Sequence, residues 1–201
     1  MRTIRSLFLA GTTALSAVPA LAQDLRFSGG YNGSNVQESG TEGWTGRGGY
    51  QFGADLKLGQ RWFLEPGIHF LVRSLEYSYA TAPDIPAQEF QYTARSLRVP
   101  LMLGFNLIDQ STEPAFNASI MGGPSALIGL NADLDQDELS VETRGTQWYI
   151  GFAGELQFGF LFINGGYDVA MSNVFTGNGF STNPMVNFYH LVGGIRLKFA
   201  N

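Results

Sequence analysis

The residues of this chain most capable of acid–base or nucleophilic chemistry are its only two histidines, His69 and His190, and Ser125, which closes the run Gly122-Gly123-Pro124-Ser125. Nucleophilic hydrolysis needs a serine, a base and an orienting acid within mutual reach. The sequence has no Gly-x-Ser-x-Gly elbow to lift a serine into that role. Polar core histidines are the simpler account, so no catalytic residue is assigned; a lipid-modifying enzyme is the alternative. A second candidate is Asp133-Leu134-Asp135-Gln136-Asp137-Glu138, with Glu142 beyond it. Its alternating carboxylates resemble the start of a calcium loop. The sixth position is Glu138 rather than glycine, however, and the twelfth is Arg144 rather than glutamate. A solvated acidic loop is expected, with a weak divalent site as the alternative, and no metal ligand or cofactor is assigned. The chain has no cysteine, which excludes disulfides, thiolate metal sites and the lipid-bearing cysteine of a lipoprotein.

The remaining chemistry-bearing residues are charges that recur opposite large apolar side chains. Arg26, Asp55, Lys57, Glu65, Arg73, Arg98, Glu155, Asp168 and Arg196 each stand one residue away from a leucine, isoleucine, valine, phenylalanine, glycine, proline or alanine. The final segment shows the pattern most clearly. Leu191, Ile195, Leu197 and Phe199 lie on one face, and His190, Arg196 and Lys198 on the other. A period of two places a strand between two unlike environments. Eight such segments are predicted: 25–32, 46–58, 61–77, 91–106, 115–130, 146–158, 160–171 and 190–199. Gly59-Gln60 and Gly159 supply tight turns. The other connections alternate, with long polar stretches between strands 1–2, 3–4, 5–6 and 7–8. A β-sandwich has no reason to sort its loops in this way, whereas transmembrane barrels do.

The amino terminus carries an address. Arg2 and Arg5 precede a short apolar run from Leu7 to Val18, and Ala20-Leu21-Ala22 offers an A-x-A cleavage site. Residues 1–22 are therefore expected to be a cleaved signal peptide, rather than a buried helix, and 23–201 a single barrel domain. Cleavage would make the formal net charge of −5 two units more negative. With scattered Lys and Arg, this gives no footprint for nucleic acid. Glycine at 26 of 201 residues and aromatics at 13% also argue against a disordered chain or a helical bundle, since both recur at period two.

Aromatic residues on the apolar face fall into two bands. Trp62, Phe105, Phe116, Phe158 and Phe199 lie beside the short turns; Tyr31, Tyr50, Trp148 and Tyr189 lie beside the long loops. Trp148 to Phe158 and Tyr189 to Phe199 each span ten residues. In a strand tilted by about 40° that is ~25 Å along the barrel axis, the height of a lipid-facing band. The expected fold is thus all-β, an eight-stranded antiparallel up-and-down transmembrane barrel with apolar side chains facing outer-membrane lipid. The competing architecture is a lipocalin-like barrel with its apolar face turned inward on a ligand. Pro66, Pro100 and Pro124 fall inside predicted strands, where local bulges or interruptions are expected.

Those prolines coincide with a resemblance. Leu97-Arg98-Val99-Pro100-Leu101-Met102-Leu103-Gly104-Phe105, Leu64-Glu65-Pro66-Gly67 and Gly122-Gly123-Pro124-Ser125 resemble, in order, motifs of the PorT-like outer-membrane β-barrel family of the Bacteroidota. The resemblance implies a small bacterial outer-membrane barrel, and the namesake's association with protein secretion implies an accessory role in a secretion or envelope-assembly complex. It brings no catalytic residues. The final strand also resembles the signal read by the barrel-assembly machinery, although Ala200 and Asn201 follow Phe199.

An eight-stranded bore is just wide enough for its own side chains. The inward charges are therefore expected to form a plug rather than line a pore. A lower layer would join Arg196 and Arg26 to Asp55, Glu65 and Glu155; an upper one would join Arg98 and Arg73 to Asp168. The function expected of such a monomer is non-enzymatic, structural or adhesive, with any protein partner met by its four long outer loops.

Overall fold

The computed structural model describes residues 22–37, 43–79, 88–108, 115–134, 145–172 and 185–199. The expected signal peptide (all but Ala22), most of the acidic loop and the two residues after Phe199 lie outside that set. Nine strands are present: β1 (Ala22–Gln37), β2 (Gly43–Gly46), β3 (Gly48–Gly59), β4 (Trp62–Tyr79), β5 (Gln88–Asn106), β6 (Phe116–Leu134), β7 (Thr146–Phe158), β8 (Leu161–Ala170) and β9 (Met185–Lys198). Both β2 and β3 pair with β4, so they form one stave interrupted at Arg47. With β2 and β3 counted as one stave, every successive stave pairs antiparallel, and β9 pairs back onto β1 from Asp24↔Lys198 to Gln37↔Met185. The sheet is a closed eight-stranded antiparallel barrel, and it contains no helix among the described residues.

Closure satisfies every edge, which is what a wall facing hydrocarbon requires. Parity then sorts the side chains. Phe52, Trp62, Ile120, Phe152, Ile163 and Leu191 are more than half exposed on the outside. Arg26, Lys57, Arg98, Glu155 and Asp168 are almost wholly buried inside. This inversion excludes the lipocalin-like alternative, whose apolar face would be the buried one. The two tightest turns follow β3 and β7. Gly59 (φ 113°) and Gly159 (φ 57°) take left-handed backbone conformations there that L side chains rarely adopt.

The strands exceed their expected lengths at the long-loop end. β1 runs to Gln37 rather than Asn32, β6 to Leu134 rather than Leu130, and β9 begins at Met185 rather than His190. Polar residues on both faces hide the alternation there, while ladder pairing continues. The prolines also behave differently from expectation. Pro66 pairs with Leu101, Pro100 with Ser125 and Pro124 with Ile150, and no register shift occurs at any of them. The ladder opens for two rows between Pro66↔Leu101 and His69↔Arg98, then resumes in step. Proline's fixed φ is compatible with extended backbone, so only a bond is lost, and the flanking rows hold the register. The bulges lie elsewhere. One faces Arg95/Ser96, where Leu130 is the extra residue; another spans 47–49, three residues opposite two on β4.

Candidate functional site

The lumen is where the buried charged groups of the described residues converge. Asp24, Asp55, Glu65, Glu155 and Asp168 balance Arg26, Lys57, Arg73, Arg98 and Arg196 one for one. At the short-turn end, Lys57 donates to Asn106 Oδ1 (2.9 Å), with its ammonium 3.8 Å from the Phe63 ring centre. Asn117 shares the same acceptor, and Asn106 donates onward to the Gln60 carbonyl. One level in, Arg26 on β1 crosses the bore. Its Nη1 and Nη2 meet Glu155 Oε2 and Oε1, both at 2.6 Å, and Nη1 reaches Glu65 Oε2 at 3.1 Å. The guanidinium stacks over Phe162 at 4.6 Å. Planar, fork-on-fork pairing of this kind is the strong form of an ion pair.

Higher up, Arg98 places Nη2 at 2.9 Å from both oxygens of Asp168, which also accepts from Ser125 Oγ (3.1 Å) and faces His190 Nδ1 at 3.5 Å. His190 Nε2 lies 3.1 Å from Asn164, and His69 Nε2 lies 2.7 Å from Asp55. Above this level Leu71, Leu127, Tyr149, Ala170 and Phe188 pack together as a buried apolar cluster. Arg73 and Arg98 flank the Phe188 ring.

The geometry corrects several expected pairings. Arg196, although it pairs in register with Arg26, does not join the three acids; it meets Asp24 (3.3 Å) at the rim. Asp55 turns to His69 instead of Arg26. Arg73 does not reach Asp168: it donates to Tyr149 OH (3.1 Å) and Gln147 (3.4 Å). Lys57 has a neutral partner. Sequence reasoning passed over Asp24, Tyr149, Phe63, Phe162 and Phe188. The parity that placed Arg26 inside places Asp24 there too, and the aromatics sit at inward positions of β4, β7, β8 and β9. Ser125 donates to Asp168 rather than to a histidine, so the serine–histidine pairing that an acyl-transfer triad uses is not formed. Among the described residues no cluster of three metal-ligating side chains exists.

On the outer wall, Trp62 and Phe105 stack with ring centres 4.8 Å apart, as do Phe116 and Phe158 (4.9 Å), all beside the short turns; Phe199 lies past the end of β9. At the opposite end Tyr31 meets Tyr189 (6.2 Å) and pairs in register with Tyr50, and Trp148 is exposed.

A closed barrel with apolar walls and a charge-filled bore agrees with the family comparison, in which residues 21–176 match the model described as outer membrane protein beta-barrel domain. The chain belongs to that family. Among solved structures, it is similar to the outer membrane protein OprG of Pseudomonas aeruginosa. That match has a TM-score of 0.58 at 12% identity and covers 89% of this chain and 97% of that one. It is also similar to Ail, the attachment invasion locus protein of Yersinia pestis, solved in complex with the heparin analogue sucrose octasulfate. Here the TM-score is 0.50 at 14% identity, over 88% of this chain and 99% of that one. Identities this low speak for the fold alone. No curated protein matches the chain.

Proposed function

We propose that this outer-membrane barrel is a non-conducting, non-enzymatic monomer whose task is to hold its long-loop rim at the cell surface. The observation that carries the reading is the double closure of the bore. Arg26 clamps Glu65 and Glu155 at one level, Arg98 holds Asp168 at another, and the Leu71–Leu127–Phe188 cluster caps both. A ring of buried, paired charge beneath an apolar cluster supports a bore that does not conduct. The aromatic pairs at either end serve as interface anchors, the usual place for amphipathic rings. Export by a cleaved signal at residues 1–22 and insertion by the barrel-assembly machinery through β9 complete the reading. Full-length protein reconstituted in planar bilayers should give no steady current. Stable ohmic channels would overturn the proposal.

A second reading, as an accessory of a secretion or envelope-assembly complex, is favoured by the proline motifs. Pro66, Pro100 and Pro124 occupy the consecutive strands β4, β5 and β6, Pro100 facing the lumen, so the PorT-like resemblance falls on three adjacent staves. Purification from native membranes with partners attached distinguishes the two. Co-purifying secretion components would favour the second.

A further inference from the structure

We propose that the outer wall carries a phospholipid site, with one acyl chain lying in a glycine-floored groove and its phosphate held by Arg61. The proposal rests on the wall being in the bilayer. It starts from two glycines that packing does not require. Gly154 on β7 and Gly165 on β8 are register partners that face outward with ordinary strand backbone. A Cβ at Gly154 would meet nothing within 4 Å, and one at Gly165 would make only ordinary contact, 3.6 Å from Leu191. Glycine inside a strand weakens it and exposes bare backbone; where nothing local requires it, it marks close approach by something else. Most outward positions in the same band carry leucine, isoleucine or aromatic side chains, so these glycines leave a depression of about 950 Å³. Phe152, Tyr167, Ile120, Leu103, Trp62 and Phe105 form its sides.

No charged side chain lines the groove, which suits a hydrocarbon chain and not a polar peptide. At its short-turn end the chemistry changes. Arg61, exposed in the β3–β4 turn, adjoins Trp62 in sequence and holds its guanidinium 5.0 Å from the Phe105 ring centre. Its backbone carbonyl is fixed by the Asn106 amide (2.8 Å). A cation at headgroup level beside an apolar groove complements a lipid phosphate with its chain in the groove. An anionic phospholipid fits better than a zwitterionic one.

The test uses the full chain with Trp44→Phe and Trp148→Phe, leaving Trp62 as the only tryptophan emitter, in vesicles containing brominated-chain phosphatidylglycerol or phosphatidylcholine. At equal mole fraction, phosphatidylglycerol should quench Trp62 as though bound about fivefold more tightly, the scale of one basic residue facing an anionic lipid. Arg61→Gln should equalise the two lipids. Gly154→Leu, which fills the groove, should bring quenching by both down to that of random mixing. Identical curves for the two headgroups before any groove substitution would overturn the site, and this comparison stands even if Gly154→Leu fails to fold. Quenching unchanged in a folded Gly154→Leu would also overturn it. A two-chain species with Trp62 shielded from bromine would assign the groove to a second copy instead. No quenching by either lipid would show that the wall itself is out of the bilayer, a different failure.

Discussion

Arg26 and Glu155 lie 129 residues apart in sequence and face each other across the bore with two parallel 2.6 Å contacts, both side chains almost entirely shielded from solvent. Glu65 shares the same guanidinium. Removing Arg26 would strand two carboxylates in the lumen, so Arg26→Leu should cost about 3–5 kcal/mol. Arg196 has one partner, Asp24, at the more open rim. Arg196→Gln should therefore cost under about 1 kcal/mol, the range of a partly solvated pair. Urea titration of the vesicle-inserted protein, followed by tryptophan emission, measures both. Equal losses would contradict the ranking.

The strand facings were legible because period-two alternation survives wherever one side is apolar and the other polar. The β7 bounds, Thr146–Phe158, follow from sequence directly. The network's wiring was legible only in part: Arg26 meets Glu65 and Glu155, but Arg196, Asp55 and Arg73 find other partners. Which inward residues meet across a bore depends on stagger and tilt, and neither is written in a strand's own pattern. Thus Arg98 meets Asp168 as expected, yet Arg73, also on its expected face, ends against Tyr149. Pro100 misled for a different reason: a lost ladder bond reads as a break, whereas neighbouring rows on both sides keep β5 in register.

Glycines that touch something should respond oppositely to those that do not. A Cβ at Gly194 would clash with both the Phe162 ring and the Phe27 carbonyl, with backbone unable to yield. Gly194→Ala should destabilise by about 1–3 kcal/mol through overpacking. At Gly154, with open space beyond, alanine should gain up to about 1 kcal/mol by restricting the unfolded chain. The same urea assay reads both, and a loss at Gly154 matching that at Gly194 would mean that protein atoms crowd the wall position.

Charge on the wall should be penalised by depth. Leu103 is 55% exposed on the outer face, and Ile150 also faces outward between Pro124 and Val169. Arginine at either should cost about 2–4 kcal/mol near the midplane. Gln51 points into the lumen, within the chamber that also contains Asp55 and Glu65. An arginine there has acids to meet and should cost less than at either wall position. Equal penalties at all three would invalidate the assignment of inside and outside.

Orientation is testable with trypsin. Arg144 belongs to the connection between β6 and β7 on the long-loop rim, and Arg61 to the two-residue turn between β3 and β4 on the opposite rim. If the long loops face the medium, trypsin added to intact cells should cut after Arg144 and leave Arg61 untouched. The Arg61 bond should also resist in permeabilised cells, because the turn is held by the Asn106 amide and has little slack to enter a protease cleft. The discriminating result is therefore the Arg144 cut. Its appearance only after permeabilisation would place the long loops inside the envelope and reverse the barrel.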